Sequence, residues 1–176
     1  FGNSCSRVSN MIGKYFEGVV PDACDPEGKD LGATHPTFDS FTELLYPIVG
    51  AFMLSFADYR LAKADTGLLL VGAVDTYIEE RAPFKLAKDP DKLPEVGTIL
   101  YNCVEALRIA SVLLWPFIPD KCEQFWSRIG FGHYAEQLKD GGRGDLEAWV
   151  KWGQLVPGTP IEKGEALFPR YQVEKK

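Results

Sequence analysis

The chain has 176 residues, 45% of them hydrophobic and 25% charged, the balance of an ordinary folded domain and not of a disordered or fibrous chain. Nineteen basic against twenty-five acidic residues leave a formal charge of -6, so nucleic acid cannot be held mainly by overall phosphate attraction and any RNA contact must be local. No run of about eighteen apolar residues and no basic leader ahead of an apolar stretch occurs, which predicts neither a membrane span nor a secretory signal.

The pattern begins at once. Phe1, Cys5, Val8, Met11, Ile12, Tyr15 and Phe16 advance by threes and fours and gather on one side of a helix, with Asn3, Arg7, Asn10 and Lys14 on the other. Because the chain opens on Phe1 inside this pattern, without an initiator Met, it reads as a piece of a longer protein. Gly18 and Pro21 end the helix, and the polar, Gly- and Pro-broken stretch to Pro36 predicts a surface loop. A second helix is expected from about Ser40 to Ala62, with a kink or break at Pro47. A third runs from about Asp65 to Glu80. Its Leu68 to Val71 run, followed by Val74, Tyr77 and Ile78, is apolar on more than one side and predicts a central place in the bundle.

The helix from about Leu93 to Leu114 is stopped by Pro116, and its small Ala110 predicts a close helix approach. A short helix follows from Pro119, with Cys122, Phe125, Trp126 and Ile129 inward and Gly130 as its stop. Beyond Gly130 the chain is punctuated by Gly and Pro. The expectation is therefore one all-α domain over residues 1–176, a bundle of about five helices to about residue 130 with an irregular extension from about 131 to 176.

Motifs for catalysis are missing: no G-x-S-x-G, no phosphate loop and no H-E-x-x-H, so no catalytic residue is assigned. Cys5, Cys24, Cys103 and Cys122 form no C-x-x-C pair and only His35 and His133 could complete a zinc site, which predicts free thiols in a cytosolic protein and no metal site. Both histidines read as loop or turn residues. Asn3 and Arg7 are the best binding candidates, since they lie four apart on the polar face and an amide beside a guanidinium can read the edge of an unstacked base. On spacing alone the two read first as a merely solvated helix face. Phe84, directly after Pro83 at the end of the third helix, is either an outward ring on which a base stacks or a core aromatic closing the bundle.

Four segments together carry a resemblance. Phe1 to Pro21, FGNSCSRVSNMIGKYFEGVVP, is similar to an N-x-x-x-R helix with a K-Y-F-x-G-x-x-P ending, and Tyr77 to Lys88 is similar to Y-[IV]-[DE]-E-x-x-P-W-x-x-A-K. Leu114 to Pro119 is similar to an L-x-P-F-x-P turn, and Trp152 to Gly158 with Leu167 to Arg170 is similar to a W-G-x-L-x-P-G and L-F-P-R ending. In this order they resemble the anticodon-binding domain that follows the catalytic domain in methionyl-tRNA synthetases.

The resemblance implies that the partner is the anticodon loop of a tRNA, not DNA or a membrane, and that Asn3, Arg7 and Phe84 receive its first base, a cytosine. It further implies a cytoplasmic location and a catalytic domain of the same parent chain as second partner, toward which the C-terminal stretch returns. The parent would be an ATP-dependent methionine–tRNA ligase using Mg. This segment would bind no cofactor, and lacking the family's catalytic signatures it would be inactive alone. Phe84 replaces the family's usual Trp and Asp75 a common Asn, and both changes are expected to weaken anticodon binding without moving it. The alternatives are the anticodon-binding bundle of another class I synthetase and a helical module that binds protein.

Overall fold

The computed structural model describes residues 1–22, 47–52, 54, 66–139 and 146–169. The predicted loop beyond Asp22, with Cys24 and His35, lies outside these, as does most of the helix expected over 40–62; Pro47, where a kink or break is expected, is the first described residue of that helix, and the residues before it lie outside. Residues 47–52 of that helix are helical, with Ile48 and Phe52 buried.

Seven further α-helices occur among the described residues: α1 (Gly2–Tyr15), α2 (Thr66–Arg81), α3 (Pro83–Leu86), α4 (Leu93–Leu114), α5 (Pro119–Arg128), α6 (His133–Lys139) and α7 (Leu146–Trp149). No strand joins them, and the only extended pairing described is an isolated antiparallel bridge between Val19 and Pro160. The fold is all-α.

The core is built around α4, not α2. Every residue from Ile99 to Leu114 is buried. The stretch Pro90–Leu114 has the length and apolarity to cross a bilayer, yet 94% of its most apolar window is covered by the rest of the protein, as a core helix requires. On α2 the buried side is Leu70, Val71, Val74, Tyr77 and Ile78, whereas Leu68 and Leu69 are 53% and 59% exposed. Four consecutive apolar residues sweep about 300° of a helix, so one partner cannot cover them all.

The close approach expected at Ala110 is present. A β-carbon placed on Gly67 would come within 2.7 Å of the Leu114 side chain and 3.1 Å of the Ala110 carbonyl oxygen, so α2 crosses α4 there on two small residues. After α4 the Trp115–Phe117 turn leads into α5, which buries Cys122, Phe125 and Trp126 and stops at Gly130 with φ +82°.

The C-terminal extension is more ordered than the Gly and Pro content predicts. It forms α6 and α7, then folds back along the bundle: Gly158 donates to the Val20 carbonyl at 2.8 Å, Val20 to Thr159 at 2.9 Å and Ile161 to Gly18 at 2.7 Å. Trp149, Val150, Leu155, Ile161 and Leu167 are buried by this return. Apolar exposure along the described part of the extension is thereby confined to a few side chains, Val156 and Phe168 among them.

A buried ion pair pins the return. Arg108 and Glu105 on α4 are both fully buried and bidentate, with Nε and Nη2 each 2.8 Å from a carboxylate oxygen. Arg108 also donates to the Tyr134 hydroxyl and to the carbonyls of Trp149 and Lys151, while Glu105 accepts from the backbone N–H groups of Gln154 and Leu155. Burial draws the Arg108 guanidinium down, but the charge and hydrogen bonds of Glu105 outweigh it and hold its pKa above the ordinary value. Tyr134 stacks on Trp149 at 4.3 Å beside this pair, and both rings meet Trp126 edge to face.

Candidate nucleic-acid interface

The polar side of α1 faces outward, as its spacing predicts, because Cys5, Val8, Met11 and Ile12 bury the opposite side. Asn3, Asn10 and Lys14 are exposed and Arg7 is half-buried. The side chain of Arg7 has a fixed partner: its Nη1 lies 2.7 Å from Glu79 Oε1 on α2. One turn earlier on both helices the buried Ser4 hydroxyl donates to Asp75 at 3.1 Å. These two links place α1 and α2 side by side in parallel register. Both members of the ion pair are substantially exposed, so it adds little stability, and its effect is to restrict where the guanidinium points.

Asp75 thus has one carboxylate oxygen engaged by the Ser4 hydroxyl. Its carboxylate and that of Glu79 lie one turn apart on α2, and Arg7 pairs with Glu79.

Phe84 stands at the end of the same α2. Ala82 takes left-handed dihedrals, φ 44° and ψ 56°, and breaks the helix; Pro83 then restarts the chain as α3, and its ring is buried. The next side chain, Phe84, is turned outward and is 38% exposed. Of the two readings the sequence allows, the outward ring is the observed one. No hydrogen bond or ring contact joins Phe84 to Asn3 or Arg7 among the described residues. What connects them is α2, with Glu79 gripping Arg7 five residues before Phe84.

Sequence reasoning missed Glu79 and Ser4. Nothing local marks them, since their partners are 72 and 71 residues away in the chain. His133 is exposed at the start of α6, its ring against Phe131 and Tyr134. Among the described residues no group of three His, Cys, Asp or Glu side chains could hold a metal ion.

No protein-family model matches the chain. It is 33% identical to the methionine–tRNA ligase of Caldanaerobacter subterraneus over 99% of its own length, 36% identical to that of Streptomyces coelicolor over 98%, and 32% identical to that of Bacillus subtilis over 99%. This chain is a homologue of one segment of the methionyl-tRNA synthetases. It spans 25%, 31% and 24% of those three relatives. The methionyl-tRNA synthetase of Mycobacterium tuberculosis shares its fold, with a TM-score of 0.72 at 23% identity in the free form, covering 97% of this chain and 32% of that one. The same enzyme bound by methionyl-adenylate gives a TM-score of 0.73 at 23% identity over 96% and 30% of the two chains.

Proposed function

We propose that this bundle is the anticodon-binding part of a methionine–tRNA ligase and reads a CAU loop through Asn3, Arg7 and Phe84. In this reading the Arg7 fork and the Asn3 amide meet the polar edge of the first anticodon base, a cytosine, while the Phe84 ring stacks on an unpaired base. The observation that carries it is the Arg7–Glu79 contact, because it holds a base-reading donor on the outer face of α1 and ties it to α2, whose end leads through Ala82 and Pro83 to Phe84. Arg7 has five donors, and one carboxylate occupies only part of that fork.

The parent chain would bind ATP and Mg on its catalytic domain, and this segment would supply recognition without bond making. The relatives named above are all methionine enzymes, which favours this reading over the bundle of another class I synthetase. The rival of a protein-binding helical module is separated by RNA binding itself. In titrations of the 176-residue chain with an anticodon stem-loop carrying CAU, Arg7→Ala should cost about 1–3 kcal/mol and relax the preference for C at the first position. Wild type and variant binding alike would remove Arg7 from the site. A wild-type chain that does not distinguish CAU from a one-base variant would favour the protein-binding module.

A further inference from the structure

We propose a second contact for the same RNA, a backbone-phosphate site made by Arg128 and Lys163 on the other flank of α1. It rests on the reading above and extends that interface by one charge-based contact. A cleft of about 200 Å³ opens beside α1, with Ser6, Ser9 and Asn10 on one wall and Arg128, Lys163 and Gly164 on the other. At 100° per residue Asn3, Ser6 and Asn10 fall within about 60° of one another, so the cleft is continuous with the face that carries Asn3.

Arg128 and Lys163 enter no ion pair among the described residues. Glu162 also lines the cleft without pairing to either cation, and its backbone N–H donates to the Arg128 carbonyl at 2.9 Å, which fixes where the returning chain crosses the end of α5. Gly164 completes the arrangement. A β-carbon there would fall on the Arg128 guanidinium, so only glycine lets that group lie against the backbone at this point.

A planar guanidinium, an ammonium, two hydroxyls and an amide around a small opening match the oxygens of one phosphodiester, which the guanidinium can grip with paired hydrogen bonds. A backbone phosphate carries no sequence information, so this site adds affinity and register while Asn3 and Arg7 add selectivity.

The test titrates the 176-residue chain and its R128Q, K163Q, G164A and R7A variants with the CAU stem-loop and a one-base variant over a salt series. R128Q and K163Q should each weaken both loops alike, roughly fivefold, and lower the slope of log affinity against log salt by about 1. G164A should weaken both loops similarly with an unchanged urea midpoint, since it displaces only the far end of a long side chain. Wild-type affinity and slope in R128Q and K163Q, with lost C preference in R7A, would overturn the phosphate site and leave the anticodon reading standing. Unchanged binding in all four variants would overturn both. Loss in the two Gln variants that tracks a fall in urea midpoint and is absent from G164A would also overturn the site.

Discussion

Arg7 sits between two demands, a carboxylate that holds it and a base edge it has to meet. Because Glu79 is mostly solvated, the pair opens or shares at little cost, and the guanidinium is oriented without being used up. Phe84 has the complementary property: its backbone is fixed by Ala82 and Pro83 while its ring is free to be covered. Phe84→Trp enlarges that ring without changing what lies beneath it. The variant should keep its urea midpoint and bind the CAU stem-loop about 0.5 kcal/mol more tightly, roughly twofold. A lower midpoint with no gain in binding would show that the ring serves the fold. At this scale the outward direction of Asn3 and Arg7 was legible, because the seven apolar positions from Phe1 to Phe16 leave no other side for them. The partners that fix Arg7 and Asp75 were not, since helix register across two elements leaves no trace in local spacing.

At the scale of elements, periodicity located α1, α4 and α5 to within a residue or two, but it misjudged which helix is central. Apolar content all round suggested α2, and the deciding feature of α4 was instead polar. Glu105 and Arg108 stand three apart and look in sequence like a solvated helix pair. Their burial becomes intelligible only when the chain 41 to 50 residues later supplies carbonyls to Arg108 and N–H groups to Glu105. The same contacts explain why the Gly- and Pro-rich extension is ordered: it satisfies a charge pair that the bundle cannot satisfy alone. Arg108→Met should therefore leave Glu105 buried without its counter-charge and destabilise the protein by about 3–5 kcal/mol in urea denaturation. Replacing Glu105 and Arg108 together by apolar residues removes the unpaired charge but leaves the Trp149 and Lys151 carbonyls and the Gln154 and Leu155 N–H groups without partners, so it should not restore wild-type stability. A single substitution that costs under about 1 kcal/mol would show that Glu105 does not depend on Arg108.

For the whole molecule, the surface is acidic and the interior holds thiols that resist ionisation. Cys5, Cys103 and Cys122 are free and at most 3% exposed, and burial pushes all three above the ordinary value of 9.0, Cys122 to about 12 with Glu123 adding to the effect. Burial also raises Tyr101, again to about 12, with Glu105 reinforcing it. In the unfolded chain these groups lose protons at their ordinary values, whereas in the folded chain they keep them. The folded state therefore binds more protons above pH 9, and stability is full below that pH and falls as pH rises toward the folded values. Each thiol contributes a loss of about 1 kcal/mol per pH unit in this range. The urea midpoint should fall steeply between pH 9 and 11 while staying level from pH 7 to 8.5. Alkylation of Cys5, Cys103 and Cys122, read by mass spectrometry, should be negligible in native protein at pH 8 and complete in urea. A midpoint that stays level to pH 11, or rapid native labelling at these three positions, would mean that the packing around α1, α4 and α5 opens readily. The Arg7 and Arg128 sites depend on that packing, because Arg7 is held by a contact between α1 and α2 and Arg128 by the returning chain against the end of α5.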